Sequence, residues 1–130
     1  MNLIHSQQAL EAHTKHIDEL EEVRDNRCKK GWVIRWHFAD KNDDQYLAIE
    51  KDRWLGWGYE DYWYTTVFDS EDDAKNIISI LEQHYPHSTF SSVKNDFTKV
   101  KSEMNERIYA LKDAHKLLCK IVNYFKSKQG

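Results

Sequence analysis

GWVIRWHFADKNDDQYLAIEK, residues 31–51, is the stretch on which the fold turns. From Trp32 the chain has a period of two. Trp32, Ile34, Trp36 and Phe38 fall on one side, and Val33, Arg35, His37 and Ala39 on the other. That is the pattern of a strand with one strongly apolar face. Asp40-Lys41-Asn42-Asp43-Asp44 is a polar turn, and Gln45 to Lys51 reads as the returning strand. Residues 32–39 and 45–51 therefore pair as an antiparallel hairpin. A third strand is expected at 63–68, after a loop containing Gly56 and Gly58.

Outward from this hairpin the period changes to that of helices. Ser6 is expected to cap a first helix reaching about Arg27, with Ala9, Leu10, Ile17, Leu20 and Val23 at helical spacing. Asp69-Ser70-Glu71-Asp72-Asp73 is the clearest local signal. Ser70 can cap, and three acids suit the positive end of a helix spanning 71–85, which Pro86 stops. A last helix is expected at about 92–127, on a near-heptad seam from Val93 through Val100, Met104, Ile108 and His115 to Phe125. The reading is an α+β fold in a single domain, 1–130, with a three-stranded antiparallel sheet. The seam serves packing inside the chain or pairing with a copy, and the first is favoured, so a monomer is expected rather than a homodimer.

Composition sets the class. The 130 residues are 40% hydrophobic and 32% charged, too apolar for a disordered chain. Nothing approaches the roughly 20 apolar residues of a membrane helix. MNLIHSQQALEAH has neither the basic nor the apolar region of a secretion signal. The expectation is a cytoplasmic protein, no membrane contact, and free thiols at Cys28 and Cys119. Charge is uneven along the chain. Residues 40–83 hold twelve acids and four bases, a net of −8, whereas residues 84–130 hold four acids and nine bases, a net of +5. An acidic middle and a basic tail can steer a charged partner, or can simply balance as solvated surface.

Chemistry-bearing residues concentrate in Trp54-Leu-Gly-Trp57-Gly-Tyr59-Glu-Asp-Tyr62-Trp63-Tyr64. Trp and Tyr dominate interface hot spots because they offer large area at small entropic cost. Trp54, Trp57, Tyr59, Glu60, Asp61 and Tyr62 are the expected partner-binding residues, with Trp57 and Tyr59 as anchors; the alternative is that several rings close a small core. Between Trp54 and Glu82 the only base is Lys75, so this loop lacks the cations that a stacked nucleic acid needs. Its acids and rings could instead occupy a nucleic-acid groove on another protein. Lys112, Lys116 and Lys120 repeat every fourth residue in the tail and are the candidates for phosphate contact. Neither His13 with His16 nor His84 with His87 has the further ligands of a zinc site, so no metal or cofactor is expected. No glycine-rich phosphate loop, GxSxG or Cys–His context points to catalysis, and no catalytic residue is assigned.

Residues 46–81, with VFDSEDDA leading a strand into a capped helix, resemble a layout recurrent in small proteins of phages and mobile elements. Together with the size and the acidic, aromatic middle, this resembles an inhibitor of the anti-CRISPR type. The resemblance implies a non-catalytic protein that blocks a host defence nuclease in the host cytoplasm. The alternatives are an immunity protein against a toxin, or a nucleic-acid binder using the basic last helix.

Overall fold

The computed structural model describes residues 1–51 and 54–129. Along the chain run α1 (Leu3–Arg27), β1 (Trp32–His37), a 3-10 turn (Lys41–Asp43), β2 (Gln45–Ile49), β3 (Leu55–Gly58), α2 (Glu71–His84), β4 (Thr89–Lys94) and α3 (Thr98–Gln129). The α+β class and the helices at both ends of the chain agree with expectation. The chain divides into two compact units, Met1–Glu22 with Ser102–Gly130, and Val23–Lys101. No helix among the described residues is long and apolar enough to cross a membrane.

In the unit Val23–Lys101, four antiparallel strands lie in the order β3-β2-β1-β4. β1 is central. It pairs with β2 at Arg35↔Tyr46 and Trp36↔Gln45, and with β4 along its whole length, from Trp32↔Lys94 to His37↔Thr89. The polar turn forms where the sequence places it, with the Asp40 carboxylate accepting from the Asn42 N–H at 2.9 Å. Ser70 caps α2 as its position demands, its hydroxyl accepting from the Asp73 N–H at 3.1 Å. α2 then buries Ala74, Ile78 and Leu81 against Ile34, Leu47 and Phe90. Burial of this kind contributes about 1.5–3 kcal/mol per large side chain.

Two elements depart from expectation. Residues 63–68 form no strand ladder; only an isolated bridge joins Phe68 to Trp32, through hydrogen bonds of 2.7 and 2.9 Å. The third strand is instead Leu55–Gly58, beside β2. A close approach fixes the bridge: a Cβ on Gly31 would lie 2.4 Å from the Phe68 carbonyl oxygen, so a side chain there would push the two segments apart. Residues 92–97 do not open the last helix either. β1 has two edges to satisfy, and Thr89–Lys94 closes the one that β2 leaves open. α3 therefore starts at Thr98, whose N–H meets the Asp96 carboxylate at 3.3 Å.

The unit Met1–Glu22 with Ser102–Gly130 is a pair of antiparallel helical segments. Ser6, Ile17 and Leu20 of α1 and Met104, Ile108 and Val122 of α3 are buried. Cross-helix contacts fix the register: Thr14 Oγ1 lies 3.1 Å from His115 Nε2, and Lys112 pairs with Glu21 at 3.4 Å. The α3 seam thus packs on α1, within the chain. Ser6 does not cap α1. The helix starts at Leu3, with the Asn2 side chain accepting from the His5 N–H, while the Ser6 hydroxyl donates back to the Leu3 carbonyl and is fully buried.

Candidate functional site

The segment Trp54–Tyr62 runs through β3, the edge strand beside β2. In an extended chain alternate side chains point to opposite faces. Leu55 and Trp57 therefore share the face of Leu47, which α2 covers, and Trp57 packs into it. Its ring meets Trp36 edge-on at 4.9 Å and stacks on Phe90 at 5.8 Å. This corrects the expectation that Trp57 is a projecting anchor. Among the described residues no glycine has a positive φ. Gly56 and Gly58 supply closeness rather than unusual backbone angles.

A Cβ on Gly58 would lie 2.7 Å from the Tyr62 ring, and one on Gly56 would lie 3.2 Å from the Trp54 ring. Two aromatic rings therefore lie against the β3 backbone, on the face away from α2. Tyr62 is held there further by its hydroxyl, which donates to the Glu50 carboxylate at 3.0 Å, and by the Tyr64 ring at 5.6 Å. Tyr62, like Trp57, is a supporting residue. Trp54, Leu55 and Tyr59 are the exposed rings and chains, at 62%, 54% and 57% of their surface. Glu60 and Asp61 are exposed beside them.

What fixes this loop is a residue the sequence reading passed over. Arg27, in the last turn of α1, is almost fully buried. Its guanidinium donates to the carbonyls of Tyr62 (3.1 Å) and Glu60 (3.0 Å) and to the Asn95 side-chain oxygen. Asn95 in turn donates to the carbonyls of Arg27 and Lys29 at 2.8 and 2.9 Å. Burial lowers the Arg27 pKa, and the nearby Cys28, Glu60 and Asp96 oppose that effect. A buried cation without a carboxylate in its first ring of contacts is costly unless its donors are matched. Here three oxygens from distant parts of the chain match the fork. The only sequence trace was an arginine at a helix C-terminus, where basic residues are ordinary.

A second polar cluster lies on β1 and β4. Asp44 accepts from the Phe38 N–H and from Arg35 Nε, both at 2.7 Å; the same oxygen that meets Arg35 lies 3.5 Å from His37 Nδ1, and His37 Nε2 is 2.6 Å from Ser91 Oγ. The order Ser–His–Asp invites a catalytic reading. At 3.5 Å the His37–Asp44 contact is longer than the 2.7 Å bonds from Phe38 and Arg35, and longer than the hydrogen bond that orients a catalytic imidazole. The cluster ties the hairpin turn to β1 and β4. The Phe38 N–H bond, followed by Arg35, holds the Asp44 carboxyl below the usual range, against the effect of its burial. A depressed folded pKa contributes stability above the ordinary carboxylate range, and that stability is lost as pH falls through the folded value. Asp44→Asn is therefore expected to be less stable than the parent at pH 7, with the gap closing below about pH 4. Urea midpoints across pH test this, and a gap independent of pH would defeat it.

Lys112, Lys116 and Lys120 belong to the other unit. All three are exposed, and Lys112 is engaged by Glu21. Their unit also holds the seam histidines: the His13 and His115 ring centroids are 5.8 Å apart, and His13 Nδ1 has no hydrogen-bond partner among the described residues. Among the described residues no three His, Cys, Asp or Glu come together as a metal-holding group. Cys28 and Cys119 are free thiols, and burial raises the Cys28 pKa. Compared with known proteins, the chain matches no family model, no curated protein and no solved structure.

Proposed function

We propose that this chain is a non-catalytic binding protein whose partner is another protein, engaged through the outer side of β3 and the loop that follows it. The observation that carries this reading is the pairing of exposure with rigidity. Trp54 and Tyr59 stand exposed beside Glu60 and Asp61, and Arg27 holds the main chain of the loop at the carbonyls of Glu60 and Tyr62. A loop ordered before contact avoids the cost of ordering it at the moment of binding. The anchors are Trp54 and Tyr59, while Trp57 and Tyr62 support them. A sheet edge also offers main-chain groups to an added strand.

The partner is a protein with a basic groove, where Glu60 and Asp61 take the place of phosphates and the rings the place of bases. A host nuclease of the CRISPR type has that chemistry, in keeping with an inhibitor acting in the host cytoplasm. Cleavage assays with purified CRISPR nucleases, with and without the chain, test the class. Inhibition that weakens with salt supports it, and indifference across the panel, with capture of a toxin instead, would favour an immunity protein. Within any complex found, Trp54→Ala and Tyr59→Ala are each expected to weaken binding about thirtyfold or more. Glu60→Gln with Asp61→Gln should mainly slow association at low salt. Full affinity in both aromatic variants would place the contact elsewhere.

A further inference from the structure

We propose that two copies of this chain associate through α3, antiparallel, about a twofold axis at Leu117. The seam of α3 is already taken up by α1. On a different side of the same helix lies a second row, formed by Tyr109, Leu117 and Tyr124, exposed at 75%, 61% and 52% of their surface. At 100° per residue these three, with Glu106, Asp113, Lys120 and Lys128, fall within about 100° of arc. Large apolar groups exposed in a row on a helix mark an interaction face more often than scattered single ones do.

The spacing of the row points to the occupant. Tyr109 lies eight residues before Leu117, and Tyr124 seven after it. Laid antiparallel on itself, the row brings Leu117 onto Leu117 of the second copy and Tyr109 onto Tyr124. To within one residue the same register sets Asp113 opposite Lys120 and Glu106 opposite Lys128. Leu117 meets its copy once on the axis and each of the other three pairings occurs twice by symmetry, so apolar meets apolar and acid meets base along the row. All four charged residues are exposed on α3. A parallel arrangement would instead place Asp113 on Asp113 and Lys120 on Lys120, like charge on like.

This association is independent of the β3 surface, and the two fail separately. The test starts with sedimentation of the full chain across a concentration series, where a concentration-dependent dimer is expected. Leu117→Lys, which sets two ammonium groups on the axis, should give monomer at every concentration with unchanged helical content. Asp113→Lys and Lys120→Asp should each weaken the dimer about tenfold, and the double reversal should restore it. Register is read by oxidation in a Cys28→Ser, Cys119→Ser background. Leu117→Cys should cross-link to itself, and Tyr109→Cys should cross-link to Tyr124→Cys in a mixture, but Tyr124→Cys alone should not. A chain that stays monomeric to millimolar concentration overturns the proposal, as does self-linkage of Tyr124→Cys.

Discussion

Trp57→Ala is expected to lower the stability of the unit Val23–Lys101 by about 3 kcal/mol, whereas Trp54→Ala changes it by less than about 0.5 kcal/mol. The two residues are three apart, Trp57 within the edge strand and Trp54 just before it, and they lie on opposite faces. Removing the Trp57 ring vacates volume against Leu47 and Trp36 and ends its aromatic contacts with Trp36 and Phe90. Each such contact contributes about 0.5–1.5 kcal/mol beyond its area. All five tryptophans fall between residues 32 and 63, so fluorescence during urea unfolding reports this unit. Equal stability of the two variants would mean that Trp57 is not part of the core.

Loss of the Arg27 guanidinium should be felt at a distance. Arg27→Met leaves the carbonyls of Tyr62 and Glu60 and the Asn95 oxygen without their donor, and each orphaned group costs about 1–3 kcal/mol. The expected loss is about 3 kcal/mol, because water reaches part of the loop once it loosens. Arg27→Lys should recover little, since one ammonium cannot meet three oxygens set for a planar fork. Amide hydrogen exchange should quicken from Tyr59 to Thr65, where Tyr62 N–H bonds the Tyr59 carbonyl and the Thr65 hydroxyl bonds that of Tyr62. Partner affinity should fall although Arg27 itself is buried, because the ordering of the loop is then left to the moment of binding. A stable Arg27→Lys with unchanged exchange would show that charge alone, and not the fork, holds the loop.

The candidate surface was partly legible. The acids and rings of Trp54–Tyr62 stand out in any reading of the chain, and Tyr59, Glu60 and Asp61 do lie exposed. Choosing the anchor between Trp54 and Trp57 required the strand phase, and that phase was hidden. Gly56 and Gly58 weaken strand propensity, so the segment reads as a loop. In the fold those glycines are the places where Trp54 and Tyr62 rest on the backbone. The strand that the sequence did advertise, Trp63 to Phe68, has its main-chain groups drawn to Leu47 and Trp32 singly and builds no ladder.

The sequence alone determined the elements whose signals lie within a few residues. β1 follows from a period of two, α2 from Ser70 and its acidic first turn, the turn after β1 from the polar run Asp40–Asp44, and the two end helices from their seams. These depend on contacts between near neighbours, which the order of residues states directly. Only the tertiary structure decided what pairs with β1 on its second edge, so Thr89–Lys94 became a strand. Only the tertiary structure brought Arg27, Glu60, Tyr62 and Asn95 together. Such contacts form when distant segments meet, and no local period records them. Their energy comes from satisfying main-chain edges and buried donors that the local elements leave open.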